Sequence, residues 1–240
     1  EGSGSSSGRA PQACGVRADN GFAIDSAAPL PSDPMFENGD SQPTLPGIST
    51  TPRGIFIDRW GTLLELPAAG SARSVDDVRF RPGVLDALFR ASRDGWKLYV
   101  IGNEEAVAFG DCSDDDWQEI DDAIQETLSD YGVSLTRSYV STDHPRGRAG
   151  HRNDSVYHLP NTGAFYHATH ADGIDLSRSW VIGDSTLELV AGWRAGLRLA
   201  AVRTGLALTD GAYDVEPEVW GSDLTELLDQ LAPAAPAARA

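Results

Sequence analysis

"GIFIDRWGTLLEL", residues Gly54 to Leu66, decides the fold. An apolar run ends in Asp58, and a glycine-threonine turn follows. A short apolar run bounded in this way reads as a buried strand. An aspartate at its carboxyl end stands where open α/β sheets place functional groups. Two positions on, where a second carboxylate would complete a nucleophile and acid pair, the chain has Trp60.

Outward from this stretch, strands and helices alternate. "GVLDALFRASRDG" (83–95) spaces its apolar residues as one helical face and closes on glycine. "KLYVIGN" (97–103) reads as the next strand. Ser113 caps a helix with an acidic first turn, which suits the helix dipole, and that helix stops at Gly132. Further strands are expected at 138–141, 179–183 and 199–203, and the first two at 54–58 and 97–102. Helices are expected at "TGAFYHATHADG" (162–173), "STLELVAGWRAG" (185–196) and "SDLTELLDQLA" (222–232). Such alternation implies an α/β fold, a doubly wound parallel sheet covered on both faces. The loops after the strands then share one edge, which puts Asp58, Gly102, Asn103 and Asp184 in one crevice.

Composition bounds the function. The chain has 240 residues and a formal net charge of −17, and Lys97 is its single lysine. So acidic a protein repels nucleic acid and anionic membrane, so neither is expected as a partner. With only Cys14 and Cys112, neither a disulfide framework nor a Cys-rich zinc site is available. No run reaches the ~18 apolar residues of a membrane span. The chain starts at Glu1 without a charged-then-apolar signal pattern, so a cytoplasmic location is expected. Residues 1–52, with "EGSGSSSG" and several prolines, read as a disordered or extended tail. Residues 53–232 read as the domain, and 233–240 as an Ala/Pro-rich tail.

Three stretches carry a family likeness. "FIDRWGTLL", "VIGNEEAVAFG" and "WVIGDSTLELVAGWRAGLRLAAVRTG" resemble, in order and spacing, motifs of the haloacid dehalogenase (HAD) superfamily. The nearest branch is that of the histidinol-phosphate and heptose-bisphosphate phosphatases, which have little or no cap domain. The likeness spans Gly54 to Gly205 and implies a HAD-like, Rossmann-like domain descended from a Mg²⁺-dependent phosphatase of small phosphorylated metabolites. In that family one aspartate attacks phosphorus and a second, two residues on, exchanges protons with the leaving group and water. A Ser or Thr and a Lys hold the phosphoryl oxygens, and carboxylates after strand four bind the ion.

Carried over by position, the likeness makes Asp58 the nucleophile, and Asp58, Asp184 and Glu188 the metal ligands. Arg59, Gly102 and Asn103 become the candidates for holding phosphate. Trp60 stands at the acid/base position, Gly102 at that of the Thr, and Leu159 at that of the Lys. Losing a general acid/base costs about 10²–10⁴ in rate, so weak, altered or absent turnover is expected. A second reading keeps the fold as a non-catalytic module for a protein partner. A third is a dehalogenase, since those enzymes carry an aromatic residue where Trp60 stands. All five histidines fall between His144 and His170, in the region where the family often has a Cys/His zinc loop. Ser141, Asp143, Ser155 and Tyr157 occupy the ligand places of that loop. His144, His151 and His158 with Asp143 could form a different site, or be ordinary surface residues. Trp96, Trp180 and Trp193 read as packing residues.

Overall fold

The computed structural model describes residues 51–232, so of the expected tails at 1–52 and 233–240 all but residues 51 and 52 lie outside the described residues. Six parallel strands form the sheet, in the order β3-β2-β1-β4-β5-β6. They are β1 (Arg53–Asp58), β2 (Trp96–Asn103), β3 (Leu135–Ser141), β4 (Trp180–Gly183), β5 (Arg198–Val202) and β6 (Val219–Gly221). The helices are α1 (Val84–Arg93), α2 (Glu105–Phe109), α3 (Asp114–Asp130), α4 (Gly163–Asp172), α5 (Thr186–Ala195) and α6 (Leu224–Leu231).

The alternation of side chains along β1 explains the layers. Ile55 and Ile57 face one side, where Leu98, Val100, Ile182 and Val202 pack with α1, α3 and α6. Phe56 faces the other, against Phe165 and Ala168 of α4 and Leu189 and Ala191 of α5. There Phe56 stacks on Tyr99 with ring centroids 4.4 Å apart. Both faces of β1 are covered, which is why its sequence is a continuous apolar run.

The five expected strands are all present. The sixth, β6, was not expected, nor was α2. Between β1 and α1 lies only a three-residue 3-10 turn at Val75–Asp77. Trp96 and Trp180 pack as expected, but Trp193 does not, being 65% exposed on the outer face of α5. Because β2 and β3 continue to one side of β1 and β4 to the other, the strand order reverses between β1 and β4. A crevice opens at the carboxyl ends of these two strands, where ligands of such sheets bind.

Candidate active site

Asp58 ends β1 and Asp184 follows β4, so the reversal sets them face to face, and their carboxyls lie within hydrogen-bonding reach. Glu188 stands in the first turn of α5, whose N-terminus Ser185 caps by accepting from the Leu187 N–H. All three carboxyls are buried, with 3–6% exposure. Burial pushes Asp58 well above the ordinary carboxylate range, and the neighbouring charges of Glu188 and Asp184 push the same way. Burial also raises Asp184, and it raises Glu188 to about 7 even though the Ser185 hydroxyl donates to Glu188 Oε2. Three acids in a space this dry strain against being ionised together.

A loop after β5 fixes the direction of Asp184. The Leu206 N–H donates to Asp184 Oδ2 at 2.6 Å, and the Leu208 N–H donates to its backbone carbonyl at 2.7 Å. Gly61 and Gly205 close on the same carboxylate with φ of +90° and +61°, and a Cβ on either would collide with it. The Thr204 hydroxyl ties the two segments by donating to the Gly61 carbonyl at 2.6 Å. These contacts were missed in the sequence, although the V-R-T-G stretch that carries them was part of the likeness. Asp210, also missed, holds the first turn of α5 by accepting from the Thr186 N–H at 3.0 Å.

A cavity of about 370 Å³ opens over these groups, lined by Asp58, Trp60, Asn103, Glu104, Glu105, Asp184 and Glu188 among others. Asn103 also clasps the loop before α4: its side chain accepts from the Leu159 N–H at 2.8 Å and donates to the Leu159 carbonyl at 3.0 Å. The Gly102 backbone comes close to Asp58, since a Cβ there would lie 3.5 Å from Oδ1. Leu159 itself is 1% exposed and belongs to the core.

Arg59 corrects an expectation. It does not line the cavity. Its guanidinium is 1% exposed, donates to Glu104, and lies 4.3 Å from the centroid of Trp117 and 5.2 Å from that of Trp60. Trp60 donates its indole N–H to the same Glu104 oxygen at 3.1 Å. Removing one partner of such a buried pair typically costs about 3–5 kcal/mol, so Arg59 is an internal tie rather than a phosphate ligand. Glu104 had no signal in the sequence, because its partners come from a different strand end.

The zinc-loop positions Ser141, Asp143, Ser155 and Tyr157 line a separate cavity of about 650 Å³ beside β3, with Trp117 and His167. His151 binds Asp114 at 2.8 Å rather than joining a cluster with Asp143, from which its Nδ1 stands 3.8 Å away. His167 and His170 lie exposed on α4, as ordinary surface residues do.

Comparison with known proteins agrees with this geometry. The HAD-hydrolase-like family matches residues 157–227. The D-glycero-β-D-manno-heptose-1,7-bisphosphate 7-phosphatase of Haemophilus ducreyi is 31% identical over 159 residues, covering 65% of this chain and 86% of that protein. The Haemophilus influenzae protein of the same name is 28% identical over 183 residues, covering 75% and 98%. Among solved structures, a D,D-heptose 1,7-bisphosphate phosphatase from B. bronchiseptica, complexed with magnesium and phosphate, superposes with a TM-score of 0.64 at 23% identity, covering 75% of this chain and 97% of that one. A putative HAD-like phosphatase from Mesorhizobium loti gives 0.62 at 25% identity, covering 78% and 90%. The order of strands, the paired aspartates at the strand ends and these relatives agree, and the chain belongs to the HAD superfamily, in the branch of the heptose-1,7-bisphosphate phosphatases.

Proposed function

We propose that the protein hydrolyses a phosphate monoester of a small sugar-like metabolite, with Asp58 as nucleophile and Mg²⁺ held by Asp58, Asp184 and Glu188. The observation that carries this reading is the burial of those three carboxyls together at one cavity wall. Grouping buried acids costs stability unless a cation offsets their charge, and a fold with no use for one gains nothing from keeping them. The donors are all carboxylate oxygens, the kind Mg²⁺ prefers. When bound, the ion supplies the positive charge that lets an anionic carboxylate approach an anionic phosphoryl group.

The chain's own residues do the rest. An Asp58 oxygen bonds to phosphorus as the bond to the substrate's alkoxide oxygen breaks. Water then attacks the aspartyl phosphate, releasing inorganic phosphate and restoring Asp58. Trp60 has no acidic proton to give the leaving oxygen, and its indole N–H is already committed to Glu104. The leaving group must therefore take its proton from solvent, and the rate depends on how stable that group is as an anion. Turnover of an alkyl phosphate such as a sugar phosphate is slow on this reading, and an aryl phosphate is cleaved faster.

A non-catalytic binding role is the second reading, favoured by the committed Trp60 N–H and by Leu159 lying in the core. Steady-state phosphate release from an aryl phosphate and a sugar bisphosphate, with Mg²⁺, separates the two. Wild type is expected to favour the aryl phosphate and Asp58→Asn to abolish release, while Trp60→Asp narrows the gap between substrates. Release that is absent, or indifferent to Asp58→Asn, would favour the binding role.

A further inference from the structure

The cavity over Asp58 is lined by Asp58, Glu104, Glu105, Asp184 and Glu188, and no Lys, Arg or His reaches its wall. An anionic substrate entering it meets five carboxylates and no cationic side chain. At its rim, however, Glu105, the first residue of α2, faces His144 and His158. One ligand atom from each of the three lies within 4.8 Å of the other two.

The surroundings fit ligation. His158 Nδ1 is buried and has no hydrogen-bond partner. The backbone carbonyl of Asp143 lies within hydrogen-bonding reach of the same ring. Metal-binding histidines usually pair one ring nitrogen with such a carbonyl and keep the other for the ion. The His144 ring stands at 86° to that of His158, with centroids 5.2 Å apart, and rests on Phe109. Its Nδ1 accepts from the Arg146 N–H at 2.9 Å, which puts the ring proton on Nε2, so ligation through Nε2 requires that proton to move to Nδ1. The loop that bears it is docked on α2: the Arg148 N–H donates to the Ala108 carbonyl at 2.8 Å, and the Arg148 side chain to that of Val107 at 3.1 Å. The loop is therefore held against α2 before any ion arrives, and side-chain adjustments complete the site.

We propose that Glu105, His144 and His158 form a transition-metal site of the Zn²⁺ class at the rim of the phosphatase cavity. Two imidazoles and a carboxylate suit Zn²⁺, Co²⁺ or Ni²⁺ rather than Mg²⁺, and water completes a tetrahedron. Bond lengths of about 2.0–2.1 Å bring tetrahedral ligand atoms to roughly 3.3 Å apart, so the site closes by at most about 1.5 Å on binding. The exposed Glu105 side chain supplies most of that movement. A His144 ring ligating through Nε2 carries its proton on Nδ1, so binding also releases the Arg146 N–H.

These residues differ from the zinc-loop positions Ser141, Asp143, Ser155 and Tyr157, which line the other cavity. The site's place gives it a use, on the phosphatase reading above. Glu105 belongs to the cavity wall, and His158 precedes Leu159, which stands where the family has its phosphate-holding Lys. An ion held there offers an entering phosphate the positive charge that Leu159 cannot.

Binding can be read without turnover. Titration of the metal-free protein with Co²⁺ is expected to give the intense visible bands of a four-coordinate ion, lost on adding Zn²⁺. His144→Gln and His158→Gln are expected to weaken binding by more than about 100-fold, exceeding the usual loss from an outer-shell change. Glu105→Gln is expected to weaken it less. Asp58→Asn, Asp184→Asn and the surface change His170→Ala should leave the bands intact, which separates this site from the carboxylate cluster. No such bands in wild type, or bands unaffected by both histidine changes, would overturn the site whatever the activity. Intact binding with phosphate release unaffected by Zn²⁺ would overturn its role toward substrate alone.

Discussion

Glu188 shows how one residue ties stability to the site's purpose. Its ordinary value is 4.5 and burial raises it to about 7, so the fold favours its protonated form. That contribution is complete below pH 4.5 and is lost as pH rises through about 7. The difference corresponds to roughly 3 kcal/mol, or roughly 10 °C in melting temperature for a domain of this size. In chelator-treated protein, melting temperature relative to Glu188→Gln is therefore expected to fall between pH 4.5 and 7. Millimolar Mg²⁺ is expected to flatten it, because a cation binds the ionised form. A wild type that tracks Glu188→Gln across this range would contradict the burial argument. Single residues also mark where the sequence misleads. Arg59 adjoins Asp58 in the chain and was expected beside the phosphate. Its real partner, Glu104, comes from the end of the neighbouring strand, a pairing that no local pattern encodes.

At the scale of elements, the segments most readable in the sequence are those with one physical cause. Strands β1, β2, β4 and β5 are buried runs, and α1 and α6 carry one apolar face each. The short pieces were not readable. Three residues in β6 and five in α2 fall below the length at which periodicity can be recognised, and tertiary contact decides them. The same holds for the 203–208 loop, whose role rests on contacts with Asp184 and Gly61. Gly205→Ala is expected to be among the most damaging small substitutions there. Its φ of +61° disfavours any other residue, and the new methyl would meet the Asp184 carboxylate. The expected cost is about 1–3 kcal/mol of stability together with loss of Mg²⁺-dependent thermal stabilisation, measured by melts with and without the ion. A variant that keeps its full Mg²⁺ response would show that the loop does not orient Asp184.

For the molecule as a whole, the parallel sheet and its crevice were legible because each strand-helix repeat leaves its own signal and the handedness rule limits how repeats combine. What a cavity lined by acids does was less legible, because its charge is assembled from three separate segments of chain. The strand order carries a further consequence, for how the protein is made. β1, the first of the described strands to be synthesised, is a middle strand in the finished sheet, and its second partner β4 is separated from it by two strands and four α-helices. Until β4 leaves the ribosome, a chain holding β1, β2 and β3 presents β1 as a bare edge, open to pairing with the wrong chain. Chains arrested before residue 180 are thus expected to be protease-sensitive and to bind chaperones, with protection arriving once β4 and β5 are free to dock. Asp58 and Asp184 lie on either side of the β1–β4 pairing, so the candidate site cannot exist before that late docking step.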